Sequence, residues 1–247
     1  MKLLSVAAGV LAASFLAHGA AAQVVGGETE LSYQTFPDVG DSSTTTLKSS
    51  VEFAIAPTAA LQFDLGIASS EFLDDEVFTG AIHGIYHLGP QSSVGLFYST
   101  DSADDADADV YGLEFGYGSG PFAVEAFIGD ASVDDDGGGL LGVPGSIDGT
   151  LYGLQASYGW SRDFAFTGLY GYGDFSADVE VQRAGVRGEF SGFSLGTFFV
   201  GVGAAETNVG GFGDAETYLE IGGRISLSGG GRGATFESRS AAEIFFR

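Results

Sequence analysis

Residues 50–69 read SVEFAIAPTAALQFDLGIAS. Val51, Phe53 and Ile55 alternate with Ser50, Glu52 and Ala54; beyond a short connection, Leu61, Phe63, Leu65 and Ile67 alternate with Gln62, Asp64 and Gly66. A period of two belongs to a strand, whose successive side chains point to opposite faces. Pro57, within Ala56-Pro57-Thr58, presets the backbone of a tight turn. The stretch predicts a hairpin with one apolar face and one face bearing Glu52, Gln62 and Asp64.

The unit recurs. Phe78, Ile82, Tyr86 and Leu88 oppose Thr79, His83 and His87; Val94, Leu96 and Tyr98 oppose Ser93, Gly95 and Ser99. Tyr111, Leu113, Phe115 and Tyr117 oppose Gly112, Glu114 and Gly116, and segment 122–129 sets an apolar face against Glu125, with Phe127 sharing the polar side. Segments 150–160, 178–190 and 216–227 alternate likewise and put Gln155, Arg183, Arg187, Glu189, Glu220 and Arg224 on their polar faces. Segments 163–172 and 193–202 are apolar on both faces, and an opening strand at 27–36 separates Glu28 and Glu30 from Leu31 and Tyr33. The count is about twelve strands, with ten to fourteen compatible. Short connections (56–58, 89–91, 118–121, 161–163, 191–192) alternate with long acidic or Gly-rich ones (37–43, 69–75, 100–109, 130–148, 173–177, 203–215). Period-two strands of about ten residues joined by alternating short turns and long loops predict a closed antiparallel transmembrane β-barrel, with short turns at the periplasm and long loops outside. Closure satisfies every backbone group where a bilayer offers no water. Tyr33, Tyr86, Tyr117, Tyr158 and Trp160 lie near strand ends, as interfacial girdles require. A soluble secreted β-sandwich also alternates, but it needs neither the long strands nor the one-sided loop lengths.

Residues 1–22, MKLLSVAAGVLAASFLAHGAAA, have the layout of a secretory signal peptide cleaved after Ala22. The expected division is therefore signal 1–22, barrel 23–227 and a C-terminal tail 228–247, with localisation in the outer membrane. The chain of 247 residues carries 33 acids against 9 Lys and Arg, net −24, which argues against nucleic acid as a partner. Its 45% hydrophobic content excludes a disordered acidic chain, so the acids are segregated from the apolar residues. The absence of cysteine excludes disulfides, thiolate metal sites and a lipidated Cys.

The hairpin at 50–66, the segment YGLEFGYGSG at 111–120 and the ending ETYLEIGGRISLSGGGRGATFESRS at 216–240 resemble alphaproteobacterial outer-membrane porin-like proteins of the Gram-negative porin superfamily. The resemblance covers most of the mature chain and rests on repeated hairpin style. It implies a barrel that passes small hydrophilic solutes and ions, in contact with outer-membrane lipid and lipopolysaccharide, with a homo-oligomer as one arrangement open to it. General trimeric porins are longer, so their trimer and constriction loop do not carry over. The ending EIFFR also departs from the terminal aromatic of many barrels, with Phe245 and Phe246 left as the candidates for that signal. Residues 228–247 read as a tail beyond the last strand; pairing of 235–240 as a further strand gives an odd count.

His83 and His87 are four apart, which on a helix offers one metal two ligands. On a strand the same spacing separates them by roughly 13 Å at ~3.4 Å per residue, too far to share a zinc. They are expected to line a pore with Gln155, and no metal or cofactor is expected. Neither acidic run, at 101–109 or 134–136, has EF-hand spacing. Ser92 and Ser93 beside His87 have no evident carboxylate partner, so an enzyme is not expected. The basic residues expected to line the pore are Lys48, Arg183, Arg187 and Arg224; the acidic ones are Glu52, Asp64, Glu114, Glu125 and Glu220. Two arrangements stay open: a basic wall facing an acidic one across the lumen, or local salt bridges filling a narrow barrel. Loop 130–148, with Leu140, Leu141 and Val143 among its acids, is the candidate constriction. The functional expectation is a cation-preferring passive diffusion channel; the alternative is a closed structural or adhesive barrel whose loops bind partners.

Overall fold

The computed structural model describes residues 23–38, 42–71, 76–104, 106–135, 145–193, 196–227 and 234–241. The expected signal peptide, the middle of loop 130–148, and Phe245 and Phe246 lie outside the described residues. The strands are β1 (Gln23–Phe36), β2 (Ser42–Ala56), β3 (Ala59–Ser70), β4 (Glu76–Gly89), β5 (Ser92–Ser102), β6 (Ala106–Ser119), β7 (Phe122–Asp135), β8 (Gly145–Gly159), β9 (Phe164–Phe175), β10 (Val179–Phe193), β11 (Gly196–Val209) and β12 (Ala215–Ser226). Each pairs antiparallel with its sequence neighbours, and β1 closes on β12 with Glu30 opposite Arg224 and Gln34 opposite Glu220. The closed twelve-strand barrel is the architecture that alternation and loop lengths point to.

The decisive hairpin pairs Phe53 with Leu61 and Val51 with Phe63, and its apolar face points out: Phe63 and Leu65 are exposed, while Gln62 and Asp64 are buried inside. The outward side carries Ile82, Leu96, Leu113, Ile128, Leu154, Val200 and Ile221. Outward tyrosines cluster toward both ends, with Tyr86, Tyr117 and Tyr158 near the short turns and Tyr33, Tyr98, Tyr111 and Tyr152 nearer the loops.

The strands run longer than alternation indicates. A 14-residue strand is ~46 Å long at ~3.3 Å per residue. Tilted by ~40° it spans ~35 Å, more than the ~25 Å of an outward apolar band. Beyond that band the polarity inverts. Asp107, Asp109, Asp130, Asp134, Asp148 and Asp174 point outward and are exposed, while Ala108, Val110, Ala131, Val133, Ile147, Phe175, Val179 and Val181 turn inward and form one apolar cluster with Phe97 and Leu151. Segments read as long loops at 100–109, 173–177 and 203–215 thus shrink to the connections 103–105, 176–178 and 210–214. The β9–β10 connection is tight enough that Ala177 and Asp178 both take positive φ, at 63° and 56°.

Segments 163–172 and 193–202 become β9 and β11. Their inner faces combine glycine with threonine: Gly171 and Gly173 beside Thr167 in β9, Gly201 and Gly203 between Thr197 and Thr207 in β11. A Cβ at Gly203 would collide with the Ala184 carbonyl and the Tyr218 ring, and one at Gly173 would lie 2.7 Å from Leu151 and from Phe175. The interior sets large rings against bare backbone, which erases a hydropathy contrast without changing the face.

Candidate functional site in the barrel lumen

The side chains of Lys48, Glu52, Asp64, His83, Glu114, Arg183, Arg187 and Glu220 are buried on the inner face, and His87, Glu125, Gln155 and Arg224 are half-buried on that face. On the side of β10, β12, β1 and β2, each arginine meets acids or acceptors of its own wall. Arg183 donates to Gln34 Oε1 at 2.6 Å and to the Tyr218 hydroxyl at 3.3 Å, with its guanidinium 4.2 Å over the Tyr218 ring. Arg187 donates to both oxygens of Glu220 at 3.0 and 3.1 Å, lies 3.6 Å from Glu30, and sits 4.0 Å over Phe199. Arg224 holds Glu189 at 2.8 Å and Glu28 at 3.6 Å. Glu28, Glu30 and Glu189 neutralise that wall locally, so the geometry is salt-bridged rather than a separated basic face. Their signal was in the alternation, which places all three on the polar sides of β1 and β10.

Across the lumen, His83 is fully buried with Nε2 2.7 Å from Asp64 Oδ2 and Nδ1 2.7 Å from Glu114 Oε1. With Asp64 and Glu114 ionised, both carboxylates only accept, so both ring nitrogens donate and an imidazolium bridges β3 and β6. Gln62 Nε2 donates to Asp64 at 3.0 Å. His83 also stacks between Phe97, at 6.0 Å between centroids, and Phe236, at 6.5 Å. His87, two inward positions further toward the short turn along β4, pairs through Nδ1 with Ser93 Oγ at 2.8 Å, and its Nε2 lies 3.7 Å from Glu52. That contact is beyond hydrogen-bond distance. Ser93 is the second residue of β5, opposite His87 on β4 and Gly116 on β6.

The residues that sequence reasoning missed belong to the C-terminal segment 234–241, which is not a strand but lies inside the barrel. Thr235 N–H donates to Glu52 at 2.8 Å, Phe236 N–H to Gln62 Oε1 at 3.2 Å, and Glu237 N–H to Glu125 at 3.1 Å. Gln62 Nε2 returns a bond to the Phe236 carbonyl at 2.7 Å, so one wall amide grips both polar groups of one residue. The Phe236 ring is buried against Ala60 and Ile85. It also rests on glycine backbone: a Cβ at Gly116 would lie 3.1 Å from it and one at Gly95 3.0 Å. Arg239 donates to Glu125 at 2.7 Å, lies 3.5 Å from Glu114, and is 5.0 Å over Phe127. Glu237 reaches Arg224 at 3.3 Å and Lys48 at 3.8 Å, and Ala241 ends in the apolar cluster.

Two cavities flank the segment. One of about 490 Å³ opens at the short-turn end between Pro57, His87, Gln91, Tyr117, Glu125 and Thr235. The other, about 100 Å³, lies between Gln155, Arg183, Arg187 and residues 237–240. Loop 130–148 is described only at its edges, where it continues β7 and β8, so its expected constriction lies outside the described residues.

No curated protein matches the chain. Among solved structures it is similar to the KdgM porin in complex with disordered oligogalacturonate, at TM-score 0.59 and 10% identity over 80% of this chain and 98% of that one. It is likewise similar to the NanC porin, at TM-score 0.58 and 10% identity over 79% of this chain and 97% of that one. These likenesses are of fold. The family model described as Gram-negative porin matches residues 68–198, more than half of the chain, from the end of β3 into β11. The chain belongs to the Gram-negative porin family of outer-membrane channels.

Proposed function

We propose that the barrel is a passive diffusion channel for small hydrophilic solutes and ions that prefers cations. The observation that carries the preference is the sign of the inner wall. Glu28, Glu30, Glu52, Asp64, Asp101, Glu114, Glu125, Glu189 and Glu220 face inward among the described residues, against Lys48, Arg183, Arg187 and Arg224 and the imidazolium of His83. An excess of fixed carboxylates in a confined, poorly screened space raises the local concentration of cations and repels anions. Exposed aspartates on the loop-side rim add to the same field. Recording the refolded protein in planar bilayers under a potassium chloride gradient tests this. Stepwise conductance with a reversal potential of cationic sign is expected, and an anionic sign overturns the preference.

A second reading, a closed barrel acting through its loops, is favoured by the occupation of the lumen by 234–241. Under it the protein inserts into the bilayer and stays silent under every condition, including when that segment is dislodged.

A further inference from the structure

We propose that the lumen contains a built binding site for an extended peptide, that residues 234–241 are its intramolecular ligand, and that their departure opens the channel. The opening rests on the channel reading given above; the seat itself does not.

Three kinds of recognition converge on this short segment. The first is backbone recognition: three successive amides, of Thr235, Phe236 and Glu237, are bound by Glu52 and Gln62, which face each other across the β2–β3 ladder, and by Glu125 from β7. Side chains presented by β2, β3 and β7 thus do what an added strand does in ordinary peptide capture. The second is a shaped aromatic seat. Gly95 and Gly116 lack the atoms that would meet the Phe236 ring, which is 1% exposed and stacked on His83. The third is charge. Arg239 completes two wall carboxylates, and Glu237 completes Arg224 and Lys48.

A segment held only by lining up against an apolar wall would show none of this alternation of acid, amide and ring. The consequence follows from position. Residues 234–241 run from the cavity at the short-turn end to the apolar cluster at the loop end, so they occupy the route a solute takes. The segment carries one base and one acid, so its departure uncovers Glu125 on one side and Arg224 and Lys48 on the other and leaves the wall's excess of carboxylates unchanged.

The chain has no cysteine, so a single introduced thiol reports on the segment without background. Ser240 is 4% exposed. The full chain carrying Ser240→Cys is refolded into vesicles and its modification by a charged methanethiosulfonate reagent is timed. It is compared with the same chain carrying Phe236→Ala and Arg239→Ala. A separate wall variant, Gly116→Val, fills the ring's seat without altering the segment. Retained heat-shifted mobility on gels verifies that each variant is folded, and single-channel recordings are made on all three.

Slow modification in the parent, about a hundredfold faster modification in the double variant, and a matching rise in open-channel occupancy are expected. The factor is that of ~2.7 kcal/mol, well within what loss of a buried Phe removes. Fast modification in the parent overturns the seat, whatever the conductance. Accelerated modification with conductance as high in the parent as in the variants overturns the gating and leaves the channel reading standing. Accelerated modification with silence in every form overturns both the opening and the channel reading.

Discussion

Replacing His83 by leucine tests whether the lumen is held by ionic bridging or merely filled. The imidazole is fully buried, and each nitrogen is 2.7 Å from a carboxylate that is itself buried. Leucine keeps most of the volume and the stacking surface against Phe97, so the change removes the bridging cation with little loss of packing. Breaking a buried ion pair by deleting one partner costs about 3–5 kcal/mol, because the other charge stays behind. Here the penalty falls at the lower end of that range. Asp64 keeps the Gln62 amide at 3.0 Å, and Glu114 keeps the Arg239 guanidinium at 3.5 Å. About 3 kcal/mol is more than a hundredfold in the folding equilibrium. With a urea dependence near ~3 kcal/mol per molar, the upper end for small proteins, the unfolding midpoint falls by about 1 M. The assay is a urea titration of protein refolded into lipid vesicles, followed by intrinsic fluorescence and by heat-shifted mobility. A second variant isolates the cause: adding Asp64→Asn and Glu114→Gln to His83→Leu removes the stranded charges and recovers more than half of the loss. A midpoint for His83→Leu within ~0.2 M of the parent refutes the bridging account. So does a triple variant no more stable than the single one, since packing alone would then explain the change.

Two further substitutions probe the wall. Gly112→Ala places a Cβ against the Ile128 carbonyl and 2.6 Å from Gly129 Cα, contacts with backbone that cannot swing aside, so the β6–β7 ladder must shift. The expected result is loss of the heat-shifted folded band, and a variant that keeps it with parental urea midpoint contradicts the close approach. Val133→Asp puts an unpaired carboxylate into the loop-side apolar cluster, where Val133 is 0% exposed, and is expected to cost several kcal/mol; Asp134→Ala, one residue on and outward, stays within about 0.5 kcal/mol. Equal effects of the two in the same urea titration would remove the inverted polarity of the rim.

What could be read from sequence follows the reach of a strand's period. The hairpin at 50–69 declares its faces because Ser50, Glu52, Gln62 and Asp64 alternate with Val51, Phe53, Leu61, Phe63 and Leu65, and the structure places Gln62 and Asp64 inside accordingly. β9 and β11 do not declare theirs, since glycine on the inner face reads as neither class. The rim misled for the opposite reason: Asp107, Asp109, Asp130 and Asp134 look like loop, yet they are the solvent face of strands that have left the membrane. Alternation assigns a face but never a partner. Asp64 and Glu114 lie 19 and 31 residues from His83, and only closure of the barrel in this register brings them to one imidazole.

The segment 234–241 lies beyond that reach altogether, because its sequence ATFESRSA has no period to read. Physical reasoning about the container could still have raised the question it answers. A barrel of about eight strands is just filled by its own side chains, and twelve strands enclose more. This wall adds less than usual to the filling, with Gly95, Gly112, Gly116, Gly153, Gly171 and Gly203 all on the inner face. An interior widened by strand number and again by glycine either holds water or receives something. The pairing of carboxylates with Arg239, of Arg224 with Glu237, and of two bare glycines with one phenyl ring says that this interior is shaped for something other than water. An opening channel must therefore replace each of those contacts with hydration, and the wall's many carboxylates and amides are the groups best able to accept it.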